Sequence, residues 1–274
     1  MTVSRKRNVV IEGVQVTNPE GDCIVINRST DIVIRDSRIG PCGGFGVRIR
    51  NSTGVILENT EIVDTSGGVY ALSSRSVQVR HNRMSSAGRN PIQFDKVSGP
   101  GNLIAGNVVI NLPGNTETED SINLYRSEGS EASPIIVEQN LIRHGGSSTT
   151  GSGIMVGDHG GRYIWVRENV LIDPGQVGIG VAGGVAISVV GNVVYSGSFD
   201  WTNVGIYVWN QDSPACDDIE VRDNTVEFYN SSGARNAYYD GANCGPIAGW
   251  ETNRIAEELM STVEALAREL EERR

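Results

Sequence analysis

The chain has 274 residues, a formal net charge of −10 and a pI near 4.9, with 38% hydrophobic residues and 34 glycines. This acidic balance argues against a nucleic-acid partner, because binding phosphates needs a basic surface. It still allows a local basic patch that holds an anionic ligand. No run of eighteen or more apolar residues occurs, so no segment is predicted to span a membrane.

An asparagine recurs at nearly the same point of a repeating pattern. Apolar residues stand five and three positions before it, as Val77 and Val79 do before Asn82. The recurring positions are Asn59, Asn82, Asn107, Asn140, Asn169, Asn192 and Asn224, with Ser37 and Gly13 extending the series toward the N-terminus. Their intervals run from 22 to 33 residues. A period of this size indicates a solenoid, in which each repeat buries its apolar face against its neighbours.

Each repeat is predicted to contain three short strands. In the third repeat a first strand at 54–58 leads to a bend at Asn59, a second strand at 61–64, a turn and a third strand at 69–72. Stacked coils would align the bends, so that each asparagine amide bonds to the backbone and to the next asparagine. We therefore predict that the seven asparagines form a structural ladder and assign them no chemistry.

Three strands per coil with an asparagine bend after one of them resembles the right-handed parallel β-helix of the pectate-lyase-like, carbohydrate-binding and sugar-hydrolase superfamily. The resemblance covers roughly residues 7–245. It implies an all-β, single-stranded right-handed parallel β-helix of about nine three-strand coils, which we place at residues 1–250. The repeat predicts the fold without selecting an activity, because one fold carries many functions.

The four cysteines fall at matching points of neighbouring repeats. Cys23 and Cys42 lie near the start of equivalent strands, and Cys216 and Cys244 follow equivalent strands. Stacking allows two disulfides and therefore export, while four inert buried thiols are the alternative. The basic start at residues 1–7 lacks the apolar stretch of a secretory signal peptide. We expect a secreted or periplasmic protein seen in its mature form, or else a cytosolic one.

The last segment, 251–274, changes to Ala, Leu, Glu and Arg without Gly or Pro. Its apolar residues repeat at three or four positions, which predicts an amphipathic helix: Ile255, Leu259, Val263, Leu266 and Leu270. We expect this helix to cover the open edge of the last coil, with a coiled-coil seam as the alternative. A monomer is expected, and the helix or the uncovered first strand edge offers a route to an oligomer.

The repeat expands at three intervals, after Asn107, Asn140 and Asn192. The extra residues flank third strands and are predicted to form loops at 112–120, 127–133, 144–152, 196–203 and 211–216. Such loops would wall a groove along the stack of third strands, where binding residues collect on a rigid scaffold.

Strand alternation predicts the floor of this groove. The residues predicted to bind substrate are Arg48, Arg50, Tyr70, Gln93, Asn123, Tyr207 and Trp209. The same alternation turns Tyr238 and Asp240 outward. Aromatic rings stack on sugars, while Arg and Asn hold hydroxyls or carboxylates, so a polysaccharide or oligosaccharide is the predicted partner. Solvated arginines and packed aromatics are the structural alternative.

Candidate catalytic groups concentrate in the middle coils. They are Asp95, Lys96, Tyr125, Arg126, Asp158 and His159. Stacking would set Asp95 and Asp158 two coils apart, about 9.6 Å. This is near the upper end of the roughly 6.5–9.5 Å separation in inverting glycosidases. The bland alternatives are an ordinary turn at Asp158-His159 and a surface ion pair between Asp95 and Lys96.

The same groups also fit β-elimination on a uronate, which needs a neutralised substrate carboxylate and a base for the C5 proton. Arg126 could neutralise the carboxylate, as could a Ca²⁺ ion on Asp95, Asp120 and Asp158. Lys96, His159 or Tyr125 could act as the base. The Asp158-His159 pair resembles the Asp-Pro-His motif of uronate C5 epimerases, although its proline is absent.

We therefore predict a lyase or C5 epimerase acting on an acidic, uronate-containing glycan, with Ca²⁺ as the one cofactor considered. Three alternatives stay open. They are a non-catalytic glycan-binding module, a fibre or tailspike-like scaffold, and an inverting glycoside hydrolase.

Overall fold

Parallel pairing of each strand with the strand one coil later builds a right-handed β-solenoid of about ten turns. The computed structural model describes residues 1–111 and 118–272. Each turn contributes a strand to each of three stacks, here called the first, second and third sheets. The first sheet contains Arg7–Glu12, Thr30–Arg35, Thr53–Glu58, Arg75–Arg80, Leu103–Ala105, Ile135–Glu138, Gly184–Val190, Cys216–Arg222 and Ile247–Ala248.

The second and third sheets follow in each turn after the bend. The second sheet contains Gln15–Asn18, Glu61–Val63, Arg83–Ser85, Val108–Ile110, Leu141–Arg143, Val170–Ile172, Val193–Ser196, Thr225–Phe228 and Arg254–Ile255. The third sheet contains Thr2–Ser4, Ile24–Asn27, Thr65–Leu72, Ile92–Asp95, Asp120–Glu128, Val177–Val181, Val204–Val208 and Tyr238–Asp240. Two longer strands bend between sheets: Arg38–Arg50 passes from the second to the third, and Ser152–Arg167 from the third to the first.

The core is a set of aligned apolar columns inside the coil. In the third sheet one column runs through eight successive coils and every member is fully buried: Ile24, Val47, Val69, Ile92, Ile122, Ile154, Ile179 and Ile206. β-branched side chains pack well on such a pleated surface. Since each coil covers the next, the hydrophobic free energy of the fold is shared between neighbours.

The predicted asparagine ladder is present at the bend between the first and second sheets. The Oδ1 atom of Asn140 accepts the backbone N–H of Asn107 at 3.0 Å and its side-chain amide at 2.9 Å. The same pattern repeats without interruption along the stack from Asn82 to Asn253: Asn82, Asn107, Asn140, Asn169, Asn192, Asn224 and Asn253. Asn253 extends the ladder by one coil into the segment that the sequence assigned to the helix.

The assignment of Asn59 to this ladder was wrong. Asn59 is exposed and left-handed, at φ +49°, while Thr60 is buried and donates its backbone N–H to Asn82 Oδ1 at 3.0 Å. The bend places a left-handed residue directly before the ladder residue, and asparagine tolerates both conformations. Gly13, at φ +64°, occupies the same outer position, so the pattern was read one residue early at both points.

A second ladder, of serines, lies at the turn from the third to the first sheet. The backbone N–H of Ser29 donates to Ser52 Oγ at 3.1 Å, and that of Ser52 donates to Ser74 Oγ at 3.2 Å. Each hydroxyl also bonds the carbonyl two residues before it, as Ser52 does with Arg50 at 2.8 Å. These serines are spaced like the asparagines, so the spacing in the sequence also predicts this second ladder.

The C-terminal helix, Met260–Glu272, lies against the side of the solenoid and does not cap its end. Val263 and Ala267 are buried against the outer face of the second sheet. The residues of that face are Val108, Leu141, Val170 and Ile172. Arg143 holds the helix through two hydrogen bonds of 2.8 Å to Glu264. The outer face of these strands is apolar where alternation would normally make it polar, so the helix buries its own apolar side there.

The predicted helix boundary at 251 is corrected accordingly. Arg254 and Ile255 form a strand that continues the second sheet, and Ile255 is 58% exposed. The apolar side of the helix is used within its own chain, which removes the basis for a coiled-coil seam. Among the described residues, no helix combines the length and apolarity required to cross a membrane.

Both cysteine pairs allowed by the repeat are joined as disulfides. The Cα atoms of Cys23 and Cys42 are 5.7 Å apart, and those of Cys216 and Cys244 are 4.7 Å apart. Replacing Cys216 and Cys244 together by serine should lower the free energy of unfolding by about 2–4 kcal/mol, because the cross-link no longer restricts the unfolded chain. Urea denaturation with and without dithiothreitol measures this loss. A wild-type midpoint that does not respond to the reductant contradicts the assignment.

Candidate functional site

The outer face of the third sheet carries two neighbouring cavities that together form a groove. The acidic pocket has a volume of about 570 Å³ and is lined by Phe45, Arg48, Ser66, Tyr70, Arg89, Asn90, Gln93, Glu119, Asp120, Asn123, Tyr125 and Asp158. The aromatic pocket has about 590 Å³ and is lined by Thr149, Thr150, Met155, Gln176, Val177, Asn203, Val204, Tyr207, Trp209, Gln211, Asn236 and Tyr239. A wider hollow of about 1170 Å³ at the turns beside the third sheet shares Ser66, Arg89 and Glu119 with the acidic pocket. The predicted loop at 112–120 lies largely outside the described residues.

Strand register aligns the groove residues in two columns. The first column contains Arg48, Tyr70, Gln93, Asn123, Met155, Gly180, Tyr207 and Tyr239. The second contains Arg50, Leu72, Asp95, Tyr125 and Asp158. Asp95 and Asp158 therefore lie two coils apart in one column, with Tyr125 between them. Trp209, which follows the strand Val204–Val208, is 45% exposed at the aromatic pocket.

A β-bulge at Gly157 brings Asp158 into the second column. Met155 pairs with Asn123 and Asp158 pairs with Tyr125, so the strand carries one extra residue between them. Gly157 has φ +70°, and a Cβ there would lie 1.9 Å from the carbonyl oxygen of Gly183. Only glycine fits this position, and bulges of this kind re-aim side chains next to functional sites.

The outward orientation predicted for Tyr238 was wrong. Tyr238 pairs with Ile206, packs against the core, and its ring centroid is 5.8 Å from that of Trp250. Tyr239 faces the groove instead and is 49% exposed. A shift of one residue in a strand exchanges its two faces, and the loop before this strand hides its register from the sequence. Asp240 is exposed, as predicted.

The acidic pocket contains two carboxylates joined by an amide. Asn123 Nδ2 donates to Asp120 Oδ2 at 2.8 Å and to Asp158 Oδ2 at 3.1 Å, so these oxygens are separated by no more than the sum of those distances. Asp120 Oδ1 accepts the hydroxyl of Ser152 at 2.6 Å and its backbone N–H at 3.0 Å. Both amide hydrogens of Asn123 are used, which leaves its buried Oδ1 as an acceptor with no partner among the described residues.

Burial raises the pKa of Asp120 from 3.8 to about 6, the hydrogen bonds from Ser152 and Asn123 oppose that rise, and the charge of Asp158 adds to it. The protonated form is therefore present near neutral pH, beside a second carboxylate. Paired acids whose environments separate their pKa values are a common arrangement in active sites.

This raised pKa has a consequence for stability. Between pH 3.8 and about 6 the folded chain keeps the Asp120 proton and the unfolded chain does not, so rising pH destabilises the fold across that window. Asp120→Asn removes the titration, and its free energy of unfolding relative to wild type should rise by about 1–3 kcal/mol from about pH 4 to 7. Urea midpoints of both proteins at several pH values measure the difference. Parallel curves would contradict the raised pKa.

Tyr125, which lines the acidic pocket, contacts the side chains of His159 and Arg126. Its ring centroid is 5.0 Å from that of His159 and 4.9 Å from the guanidinium carbon of Arg126. Lys96, Arg126 and His159 all have positive φ, at 54°, 49° and 53°, in the turn that follows the third sheet. They lie in one column of turn residues with Arg5, Arg28, Asn51 and Ser73, and we call its Arg, Lys and His members the basic edge. None of its arginines or lysines forms an ion pair with another described residue.

Two of the predicted groove residues form hydrogen bonds with other side chains of the protein. Arg48 donates to Asp22 Oδ1 at 2.9 Å, and its guanidinium carbon lies 4.5 Å from the Phe45 ring centroid. The Tyr70 hydroxyl donates to Asp95 Oδ2 at 2.9 Å; burial and then this hydrogen bond raise the pKa of Tyr70 to about 12. The bond to Tyr70 takes the place of the ion pair with Lys96 considered from sequence. Arg50 remains exposed.

The structure does not assemble the three aspartates predicted as calcium ligands. Within residues 1–111 and 118–272, no group of three or more His, Cys, Asp or Glu side chains could hold a metal ion. Asp120 and Asp158 are bridged by amide hydrogens, while Asp95 accepts the Tyr70 hydroxyl. Asp95, Asp120 and Asp158 therefore do not form one calcium site, and dependence on Ca²⁺ stays a prediction.

The aromatic pocket is organised around Tyr207. Its hydroxyl accepts the Gln211 amide at 2.9 Å and lies 3.3 Å from the sulfur of Met155. A Cβ on Gly180 would lie 2.8 Å from the Tyr207 ring, so the ring lies over the coil that has no side chain there. Burial, followed by the charges of Asp120 and Asp158, raises the pKa of Tyr207. Tyr207 therefore forms a buried part of the aromatic pocket.

Comparison with known proteins agrees with this architecture. The family described as the right handed beta helix region matches residues 2–161, more than half of the chain. The chain belongs to this family. No curated protein matches it. The family accounts for the solenoid and its turns, whereas the chemistry of this β-helix depends on the residues of its own groove.

Solved structures with similar folds have very different sequences. PfbA, a surface adhesin of Streptococcus pneumoniae, has a TM-score of 0.48 and 10% identity over 82% of this β-helix and 74% of that chain. An alginate lyase from Paenibacillus sp. str. FPU-7 has a TM-score of 0.42 and 13% identity over 88% and 99%. The catalytic domain of a GH87 α-1,3-glucanase in complex with nigerose has 0.44 and 11% over 93% and 63%.

Several residues of the site were missed from sequence. Asp22 and Phe45 hold Arg48, Ser152 holds Asp120, and Tyr239 completes the aromatic pocket. Strand alternation predicts which side chains face the groove only where the bend fixes the register of the strand. Asp22 and Ser152 lie at strand starts beside loops, where no repeat position constrains them.

Proposed function

We propose that this β-helix is a lyase or C5 epimerase acting on a uronate-containing glycan bound along the groove. The observation that carries the proposal is Tyr125, which contacts His159 and Arg126 and pairs in register with Asp158 of the Asp120–Asp158 pair. This arrangement offers a phenol and an imidazole as proton carriers beside a cation. The basic edge supports a polyanionic partner despite the net charge of −10.

In the proposed reaction the Arg126 guanidinium neutralises the substrate carboxylate, which acidifies the C5 hydrogen. Tyr125 or His159 removes that proton. In a lyase the electron pair forms the C4–C5 double bond, the C4–O bond breaks, and the leaving oxygen takes a proton from the residue that removed it from C5. In an epimerase the other of Tyr125 and His159 donates a proton to the opposite face of C5, and no bond of the chain breaks.

We also propose a secreted or periplasmic location. Two disulfides are the supporting observation, because such bonds persist in oxidising compartments.

A hydrolase is the second candidate, and the carboxylate pair favours it. The closest oxygens of Asp120 and Asp158 lie nearer than the roughly 6.5–9.5 Å of inverting enzymes. This spacing favours a retaining reaction over the inverting one considered for Asp95 and Asp158.

One incubation separates these functions. The protein is mixed with acidic and neutral polysaccharides in D₂O, with and without Ca²⁺, and three products are measured. Unsaturated-uronate absorbance with new reducing ends supports a lyase, reducing ends alone support a hydrolase, and deuterium at C5 of an intact chain supports an epimerase. Absence of all three products over the whole panel contradicts an enzymatic role.

A further inference from the structure

The groove changes its chemical character along its length. The acidic pocket is lined by five charged side chains: Arg48, Arg89, Glu119, Asp120 and Asp158. The described lining of the aromatic pocket contains no Asp, Glu, Lys, Arg or His. The two pockets therefore differ in the charge of the ligand that they can accept, because a charge buried without a partner costs several kcal/mol.

The floor of the aromatic pocket is apolar and its upper wall is aromatic. Met155, Val177 and Val204 pack with Tyr207 in one buried cluster. The rings of Trp209 and Tyr239, which also line the pocket, are 45% and 49% exposed. Open aromatic faces bind the C–H faces of sugar rings through apolar contact.

The rim of the aromatic pocket is formed by neutral hydrogen-bonding groups. The side chains of Gln176 and Asn203 form no hydrogen bond with another described residue, although both line the cavity. An amide offers both donors and acceptors. This combination matches sugar hydroxyls, which also donate and accept, better than it matches a carboxylate, which only accepts.

The two pockets are contiguous in the first column. Asn123 of the acidic pocket pairs directly with Met155 of the aromatic pocket, and Gly180 and Tyr207 follow in the next two coils. Because Gly180 has no side chain, the Tyr207 ring reaches back to Met155. One extended polymer can therefore contact both pockets at once.

We infer that the aromatic pocket is a subsite for uncharged sugar residues, so that the substrate is a mixed glycan. A uronate occupies the acidic pocket and neutral sugars of the same chain occupy the aromatic pocket. The assignment of the uronate rests on the proposed function. The binding of neutral sugars at the aromatic pocket does not depend on it.

The test is isothermal titration calorimetry with cellohexaose, xylohexaose, mannohexaose and a galacturonate hexamer. Wild type is compared with Trp209→Ala and the control Trp165→Ala, which removes a 39% exposed tryptophan from the first sheet, outside the groove. At least one neutral hexamer should bind wild type and Trp165→Ala alike, and bind Trp209→Ala about tenfold more weakly. Trp209→Phe should recover most of the affinity if stacking is the cause.

Two results overturn the inference. One is the absence of binding by all three neutral hexamers. The other is a Trp209→Ala variant that loses affinity for the galacturonate hexamer and keeps it for neutral ones. Equal thermal midpoints of the variants exclude unfolding as a cause. Neutral binding without any turnover would reject the proposed function and leave the subsite intact.

Discussion

Replacing Asn140 by alanine should lower the free energy of unfolding by about 3–6 kcal/mol. Its Oδ1 accepts two hydrogen bonds from Asn107, and its Nδ2 donates to the carbonyl of Ile104 at 3.0 Å and to Asn169 Oδ1 at 2.9 Å. All these groups are buried, so alanine leaves several donors and acceptors without partners and without access to water. Each such group costs about 1–3 kcal/mol.

Urea denaturation followed by circular dichroism measures the loss, and Asn59→Gly is the matched control. Asn59 has the same residue type in the same bend, but it is exposed and left-handed, a conformation that glycine adopts without strain. The control should remain within about 0.5 kcal/mol of wild type. Equal losses in the two variants would show that the buried hydrogen bonds of the ladder are not what stabilises the coil.

Replacing Tyr125 by phenylalanine should reduce kcat by about 10²–10⁴-fold and change KM little, if the proposed proton transfer is correct. The change removes one oxygen and keeps the ring that packs against His159 and Arg126. Binding should therefore persist while the transfer at C5 fails. The rate is measured on the acidic polysaccharide that turns over fastest.

Tyr163→Phe controls for the loss of a phenol elsewhere, since Tyr163 lines neither pocket. Its kcat should equal that of wild type. An active Tyr125→Phe variant would reject Tyr125 as the proton carrier and leave that role to His159. These conclusions hold only if the Tyr125→Phe variant has the same thermal midpoint as wild type.

Repetition made the architecture readable from sequence. Each coil buries an apolar face and forms a bend in the same way, so the same apolar positions and the same bend recur along the chain. A residue assigned wrongly in one coil can therefore be recognised by comparison with the neighbouring coils. The misplacement of Asn59 shows the limit, because a bend needs both a left-handed residue and a buried donor–acceptor, and asparagine serves for either. The side-docked helix shows another, since its partner is an apolar outer face that alternation treats as solvent-exposed.

The candidate site was partly readable for the same reason. Tyr70, Gln93 and Asn123 share a column because strand register follows the repeat. Their partners do not follow from it: Arg48 is held by Asp22, and Asp158 faces Asn123 only because Gly157 adds a residue to the strand. Bulges and loops break the repeat, and no neighbouring coil carries the information to place them.

The sequence by itself therefore determined the solenoid, most of its asparagine ladder, which cysteines lie close together and the sheet that bears the groove. Each of these depends on which residues recur at a fixed interval, and stacking converts that interval into contact. Only the tertiary structure decided the raised pKa of Asp120, the bridge through Asn123 and the division of the groove into a charged and an uncharged pocket. Those properties depend on burial and on hydrogen bonds of about 3 Å between side chains of different coils, which a periodic pattern does not specify.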